Sequence, residues 1–433
     1  MVEMSLNDNE GLGRARQSST FNKNAEFCAP PLVPEVGVLA LVPDQWHWQW
    51  QVRHQVMSRL ARYFTVVWMS PAEDWRHSLR SLNLWTQSEE TPLSSGSFVV
   101  HTPSSLLPLV YRPAWLAQTL LRKRLKRARG VLSNLGCKQI VLYLWRPDFA
   151  KAIDILSSDL ICYHVDDEYS FSAEEHPISE QETHLLTRAD QVFIHSPALL
   201  EKKGQMNRNT AFVPNGVDYE HYSKRLPEPA DIASLPHPRI GYSGRIKRQL
   251  DWVLVRELVA RHPQWFFVFV GAINPHPEVA SYIHDLTRRP NIRFLGSKST
   301  QELAAYPQYF DVCIMPYIRD DYTKYIYPLK LHEYLATGRP VVSTPIPSLQ
   351  EFSDVVLLPQ NAEEWSSAIA ESLSPAANLP NQEIKRQKIA RGHDWEILVR
   401  RIAEIISTRL GPEVSRRLNQ SSGVEESRAI RKS

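Results

Sequence analysis

Short apolar runs alternate with amphipathic stretches along most of this chain. The run Glu35-Val-Gly-Val-Leu-Ala-Leu-Val42 predicts a buried strand, the first element of ordered structure. A helix from Gln51 to Ala61 and a strand from Phe64 to Met69 follow. Further strands are predicted from Gln139 to Leu144, Leu160 to His164 and Gln191 to His195. Helical stretches from Trp115 to Leu135, Ser179 to Arg188 and Pro197 to Lys203 separate them. The pattern then restarts. Strands are expected from Arg239 to Tyr242, Trp265 to Val270, Ile292 to Leu295, Val312 to Met315, Pro340 to Ser343 and Val355 to Leu358. Helices are expected from Asp251 to Arg261, Glu278 to Thr287, Thr300 to Tyr309, Pro328 to Thr337 and Glu363 to Leu373. A last amphipathic helix runs from about Gln382 to Arg409.

Strands alternating with helices imply mainly parallel sheets covered on both faces. The fold class is therefore α/β, with two doubly wound, Rossmann-like domains facing a central cleft. Ligands of such domains bind at the carboxyl ends of the strands. The stretch from Ser223 to Pro238 carries four prolines among charged residues and reads as the linker. The expected organisation is a disordered tail over 1–34, an N-terminal domain over 35–222, the linker over 223–238 and a C-terminal domain over 239–380. A helix over 381–410 is expected to pack across the domain interface, and a disordered tail covers 411–433. No solenoid period is present.

Composition narrows the class. The 433 residues are 43% apolar and 22% charged, ordinary for a globular protein. Cys28, Cys137, Cys162 and Cys313 lie far apart with no CxxC pair, which argues against a disulfide framework or a zinc site. A formal charge of +3 gives no reason to expect nucleic acid. No apolar run approaches the ~20 residues of a membrane span, and the N-terminus lacks a secretory h-region. The expected location is the cytoplasm.

The most informative segment runs from Tyr325 to Thr344. Pro328 suits a first helical position and Gly338 a left-handed C-terminal cap. Lys330 and Glu333 share a face. The helix start offers amides to an anion and Lys330 adds charge there. Glu333, about one turn further in, is placed to accept hydrogen bonds from ribose hydroxyls. Spacing alone fits a surface helix with a Lys–Glu pair equally well. The second segment is Ile240-Gly-Tyr-Ser-Gly-Arg-Ile-Lys-Arg-Gln-Leu-Asp-Trp252. A strand enters a glycine turn and then a cluster of cations. Gly244 allows close backbone approach, Arg245 can grip phosphate through two parallel hydrogen bonds, and Lys247 or Arg248 adds a second charge.

The pattern Pro-Leu-Lys-Leu-x-Glu-Tyr-Leu-Ala-x-Gly-x-Pro-Val-Val-x-Thr resembles the donor-binding motif of the family 4 glycosyltransferases, which have the two-domain GT-B fold. The turn at Gly244 is similar to that family's Gly-Arg-Leu…Lys-Gly motif. The resemblance implies a donor site built from Gly244, Arg245, Lys247, Arg248, Tyr325, Tyr327, Pro328, Leu329, Lys330 and Glu333. Glu333 would hold the ribose, and Arg245 with Lys247 or Arg248 would neutralise the leaving diphosphate. Many members carry a further glutamate eight positions before the ribose-binding one; here that position is Tyr325, as in a sub-group whose motif reads Pro-Leu-Lys.

In the N-terminal half, Cys162-Tyr-His-Val-Asp-Asp-Glu168 ends a buried strand and resembles a stretch of transferases that build bacterial surface polysaccharides. Asp166 or Asp167 could orient an acceptor hydroxyl or take its proton; a helix cap in a solvated acidic turn is the plainer reading. Asp44-Gln-Trp-His-Trp-Gln-Trp50 follows the first strand. Trp46, Trp48 and Trp50 cannot all be core in so short a loop; Trp46, His47 and Trp48, with Glu168, join the expected acceptor site, and packing of the tryptophans against the last helix at the domain interface is the alternative. His54 is not expected to be a ligand. Phe212-Val-Pro-Asn-Gly-Val-Asp218 reads as a structural turn. The basic run from Arg122 to Arg129 fits a solvated helix face, or a membrane-surface patch suited to a lipid-linked acceptor.

The resulting expectation is a metal-independent glycosyltransferase, for which the family resemblance implies retention of anomeric configuration. It moves a sugar from a nucleotide-sugar donor to a glycan or lipid-linked acceptor and needs no cofactor or metal, because cations and helix amides stabilise the leaving diphosphate. A nucleotide-sugar 2-epimerase of the same fold and a catalytically silent binding subunit are the alternatives. A dehydrogenase is disfavoured because no GxGxxG follows an opening strand. Partners are the donor and acceptor, with peripheral contact at the inner membrane face through residues 122–129.

Overall fold

The apolar runs form parallel strands in two separate sheets, each wound with helices. The computed structural model describes residues 30–48, 50–76, 89–93, 97–169, 178–274 and 276–420. They divide into two compact units. The N-terminal unit takes residues up to Gly216, Lys324–Tyr327 and the chain from His393 onward; the C-terminal unit takes Val217–Thr323 and Pro328–Gly392.

In the N-terminal unit the strands are β1 (Val33–Leu41), β2 (Phe64–Met69), β3 (Glu89–Leu93), β4 (Phe98–Thr102), β5 (Gln139–Leu144), β6 (Leu160–Val165), β7 (Gln191–Ile194) and β8 (Thr210–Phe212). They form one sheet in the order β3-β4-β2-β1-β5-β6-β7-β8. Only the β3–β4 pair is antiparallel. Helix Ala114–Asn134 lays Leu125, Ala128 and Leu132 on the sheet, against Leu39, Val67 and Leu142. Burial on both faces explains why β1, β2 and β5 are continuous apolar runs rather than alternating ones. The winding reverses between β1 and β5, so the loops after these strands flank a topological switch point.

In the C-terminal unit the strands are β9 (Arg239–Ser243), β10 (Phe266–Val270), β11 (Ile292–Phe294), β12 (Val312–Met315), β13 (Val341–Ser343) and β14 (Val356–Leu357). Their order is β11-β10-β9-β12-β13-β14, all parallel. The last strand–helix pairs, and the helices Trp252–Arg261 and Ala362–Ser372, fall close to their expected bounds.

Several expectations change. Strands β3, β4 and β8 were not anticipated: they are short, and β3 is an edge strand containing Pro92, which an interior strand would exclude. The stretch expected as one helix from Thr300 to Tyr309 is helix Thr300–Leu303 and a 3₁₀ turn Tyr306–Tyr309, because Pro307 cannot continue an α-helical ladder. The linker over 223–238 is not a free tether. It holds a helical turn at Ala230–Ala233, and Arg239 pairs with Glu228 at 2.5 Å. It lies wholly in the C-terminal unit, whose boundary comes earlier, at Gly216.

The expected last helix is two. Helix Pro380–Gly392 belongs to the C-terminal unit and helix Trp395–Leu410 to the N-terminal unit, with Asp394 capping the second through the Glu396 amide. Residues 412–420, expected to be disordered, are helical and bury Val414 and Leu418. Of the expected tails, 1–29 and 421–433 lie outside the described residues. Gly216 touches the return point of the chain: a Cβ there would meet the His393 carbonyl oxygen at 2.6 Å.

Beside β1 and β2, Trp46, His54, Trp68 and Phe98 form a buried aromatic cluster, with centroid separations of 4.6 Å for Trp46–Phe98 and for His54–Trp68. Burial pushes the His54 pKa down from the ordinary 6.5 to about 4. Between those values the unfolded chain binds a proton that the fold refuses. The stabilisation from neutral His54 is thus complete above pH 6.5 and is lost as pH falls toward 4. Going from pH 7 to pH 5 should remove about 2 kcal/mol through this residue, and His54→Gln should remove that share of the slope. Denaturant titrations followed by tryptophan fluorescence at both pH values check this. An unchanged pH slope in the variant would assign the effect elsewhere.

Candidate functional site

In the C-terminal unit, three elements meet at the carboxyl end of β9. Gly244 follows the strand at φ +133°, a conformation open to glycine and costly for other residues. A Cβ at Gly244 would stand 2.2 Å from Lys330 Cε and 2.5 Å from its ammonium. The missing side chain is therefore the space that the lysine fills. Gly271, at φ +146°, performs the same service one layer below, where a Cβ would lie 2.0 Å from the Gly244 carbonyl oxygen. Lys330 Nζ also sits 5.2 Å from the Tyr242 ring centroid.

Helix Leu329–Ala336 supplies the lysine. Pro328 is its N-cap rather than its first helical residue, and no side chain caps the start. Gly338 follows the helix with φ +77°, as expected. Tyr334 locks the helix to the strand: its hydroxyl accepts from the Ser243 amide at 2.8 Å. Glu333, a turn beyond the start, is part-buried. Burial raises its carboxyl pKa, while Lys330 and a hydrogen bond from the Tyr222 hydroxyl act in the opposite sense.

The three cations of the glycine turn differ. Ile246 points into the core and is fully buried. Arg245 and Arg248 are exposed, and Lys247 is half-buried. Lys247 Nζ reaches the Tyr322 hydroxyl at 3.4 Å and lies 5.0 Å from that ring's centroid. Lys247 is thus held in place by an aromatic side chain, and the two arginines reach toward solvent.

Two expected donor residues fall in the other unit. Tyr325 and Tyr327 belong to the N-terminal unit. Tyr325 packs against that unit's core with Lys202 Nζ at 5.0 Å and Lys324 Nζ at 5.4 Å from its ring centroid. Tyr327 is 3% exposed, and its carbonyl accepts from Asn215 Nδ2 at 2.7 Å. This corrects its expected role as an open donor contact: it anchors the Pro-Asn-Gly turn. Pro328 is buried and Leu329 half-buried.

In the N-terminal unit, Asp166 lies just past β6. Its Oδ2 is 2.9 Å from Arg53 Nη2, and its Oδ1 accepts from the Tyr169 hydroxyl at 2.5 Å. Arg53 also pairs with Asp44 at 2.5 Å. Burial opposes the charge on Arg53; Asp166, Tyr169 and Asp44 more than restore it. Asp166 therefore has both oxygens engaged in a buried network. Asp167 is half-buried and accepts from the Glu168 amide at 2.9 Å.

Glu168 is corrected from the expected acceptor contact. It is 2% exposed, bonded to Lys203 at 2.8 Å and Lys202 at 3.2 Å, and Lys203 is shared with Glu182 at 2.7 Å. The aromatic loop is corrected in part. Trp46 is core, as its cluster with His54 and Trp68 requires, whereas His47 and Trp48 are exposed. Of the basic run, Arg124 is buried, and Arg122, Lys123, Lys126 and Arg127 are exposed. Among the described residues no group of three or more His, Cys, Asp or Glu is arranged to hold a metal. No helix there is long and apolar enough to cross a membrane.

Residues 237–374 match the family model described as Glycosyl transferases group 1. The matched stretch contains the glycine turn, Lys330 and Glu333. A protein of Bacillus subtilis (strain 168) named as the teichuronic acid biosynthesis glycosyltransferase TuaH is 30% identical over 235 residues. That match covers 52% of this chain and 58% of the relative, so the chain spans little more than half of the curated relative's length. Among solved structures, sucrose-phosphate synthase from Thermosynechococcus elongatus aligns over 86% of this chain and 98% of its own, at TM-score 0.61 and 18% identity. Anabaena HepE, solved in complex with UDP, aligns over 86% of this chain and 100% of its own, at TM-score 0.62 and 16% identity. At such identities the likeness is one of fold, and the fold is GT-B.

Tyr222, Tyr322 and the Tyr334 hydroxyl are the site groups that sequence reasoning missed. Tyr222 and Tyr322 carry no motif, and Tyr334 reads as part of an apolar stripe. The Tyr334 contact is open to test. Tyr334→Phe leaves the buried Ser243 amide without its acceptor, and the C-terminal unit should lose ~1–3 kcal/mol of stability. Chemical denaturation measures it, and a loss within error of zero would mean that the hydroxyl does not lock helix to strand.

Proposed function

We propose that the chain transfers a sugar from a nucleoside-diphosphate donor to a glycan or lipid-linked acceptor, retaining anomeric configuration without a bound metal. The observation that carries this reading is the contact between Lys330 and Gly244, with Glu333 one turn beyond. A diphosphate fits where the glycine turn, the Lys330 ammonium and the amides at the start of helix Leu329–Ala336 converge. The ribose hydroxyls donate to Glu333, which already accepts from Tyr222.

In the reaction the anomeric C–O bond breaks and its electron pair passes to the terminal phosphate oxygen. The acceptor hydroxyl forms the new C–O bond on the face that the diphosphate leaves, and its proton passes to that diphosphate. Arg245 and Lys247 stabilise the growing negative charge. We assign the second cation to Lys247 because Tyr322 holds it in place and Arg248 has no comparable support. Asp167 is the better acceptor-side carboxylate, since Asp166 is committed to Arg53 and Tyr169. A silent binding subunit is the second reading, favoured by Tyr325 at the usual glutamate position; it would bind nucleotide and release none of it by transfer.

Arg245→Ala should cost ~3 kcal/mol or more of transition-state stabilisation, from the worth of one preorganised donor. Release of nucleoside diphosphate from the donor, assayed against a panel of acceptors, measures it, and the wild-type rate should persist in EDTA. A rate within a few-fold of wild type in the variant would remove Arg245 from the diphosphate site. A rate abolished by EDTA and restored by Mn²⁺ would overturn the metal-free mechanism.

Glu333→Gln should weaken binding of a free nucleoside diphosphate by ~1.5–3 kcal/mol, as for a hydrogen bond to a charged group. The loss should largely vanish with the 2′,3′-dideoxy nucleotide. Calorimetric titration of both proteins with both nucleotides closes the cycle. Equal losses would show that Glu333 does not meet the ribose.

A further inference from the structure

The N-terminal unit carries a surface that the donor site does not use. Trp115 is 68% exposed, Tyr111 59%, Leu106 57% and Trp75 40%. These side chains belong to one region. The Trp75 amide donates to the Leu109 carbonyl at 3.2 Å, beside a parallel bridge between Asp74 and Leu109. Tyr111 is close enough to Asp74, Asp148 and Arg76 to feel their charges; partial burial raises its pKa, the acids add to this and Arg76 opposes it. Buried Arg124 donates to the carbonyls of Leu107 at 3.1 Å and Pro108 at 2.7 Å, which lays this segment alongside helix Ala114–Asn134.

The helix continues the surface. Trp115, Thr119, Arg122, Lys123 and Lys126 recur at helical spacing, so they share one face, and all are exposed. The 21-residue helix contains no Asp or Glu. The acids near the aromatic end are Asp74, Asp148 and the exposed Glu73, whose carbonyl accepts from the Leu109 amide at 2.7 Å, and Arg76 and Arg112 stand with them. A monomeric surface rarely groups large apolar side chains in this way without a partner.

We propose that this surface docks on an anionic phospholipid bilayer, with Trp115 and Tyr111 at the headgroup level and the helix cations over the lipid phosphates. Indole and phenol rings are the side chains that suit a membrane–water boundary. A row of cations without acids supplies the attraction to a negative leaflet. The helix is too polar to span and lies along the surface. An acidic protein would match the cations but gives no reason for exposed tryptophan at the end of the same face. The proposal is independent of the donor site, because vesicle binding is read without any sugar nucleotide.

The test sediments the full chain with vesicles of phosphatidylcholine, and with vesicles of equal phosphatidylcholine and phosphatidylglycerol. Binding should require the anionic lipid and weaken with salt. Lys123→Glu with Lys126→Glu should reduce it at least ten-fold, given the attraction of about one kcal/mol per cation near such a surface, roughly five-fold each. Trp115→Ala should reduce it roughly ten-fold, since binding scales with the apolar area inserted. All three positions are exposed, so circular dichroism and nucleotide affinity should be unchanged. Absence of binding to the anionic vesicles would overturn the proposal. Loss on charge reversal with no effect of Trp115→Ala would also overturn it, and would point to an acidic macromolecule instead.

Discussion

The C-terminal unit depends on one exclusion at Gly244: its φ of +133° strains any other residue, and the end of the Lys330 side chain lies where a Cβ would stand. The exclusion brings a strand end and a helix start into contact and puts a cation between them. The Tyr334–Ser243 hydrogen bond keeps the two elements at that distance. Gly271 extends the exclusion downward by admitting the Gly244 carbonyl. In the proposed donor site these three features fix a positive field before any ligand arrives, the condition for electrostatic stabilisation without reorganisation.

The N-terminal unit solves a different problem, that of holding charge in its interior. Arg53 stands between Asp44 and Asp166, and Lys203 between Glu168 and Glu182. Removing one partner of such a group leaves an uncompensated buried charge, which costs several kcal/mol. Both clusters draw on the loop after β6, and the Arg53 cluster also on the loop after β1, a strand beside the switch point. The charges therefore hold in place the loops from which an acceptor-side surface would be built. At that end the exposed His47 and Trp48 and the half-buried Asp167 stand on this stiffened base.

The architecture was readable because burial on both faces turns a parallel strand into an unbroken apolar run. The runs at 139–144 and 312–315 match β5 and β12 to the residue. The donor helix was readable because Pro328 and Gly338 punctuate it, although Pro328 sits one position earlier than expected. What stayed hidden was partnership. Asp166, Asp167 and Glu168 look alike in sequence, yet one faces Arg53, one is half-open, and one is buried against two lysines. Their partners come from distant elements, and a period reveals the face a residue takes but not the residue it meets. Trp46 and Trp48 illustrate the same limit: they stand two positions apart and look alike in sequence, and only the fold shows that one is buried and the other exposed.

The contact of Gly216 with His393 has a consequence for how the chain can be divided. The backbone leaves the N-terminal unit and returns to it at adjoining points, so the C-terminal unit is, in chain order, an insertion within a host. The host is completed only by sequence from beyond the insert: helix Trp395–Leu410, whose Glu396 pairs with Arg59 at 2.8 Å. Tyr325 adds a piece from within the insert, packed on the host's core. A fragment ending near residue 216 would lack both and expose the apolar surface they cover. Proteolysis or gene division at the proline-rich stretch would likewise not release two self-sufficient halves, whereas shortening the path between Gly216 and His393 leaves the host's own chain ends nearly closed.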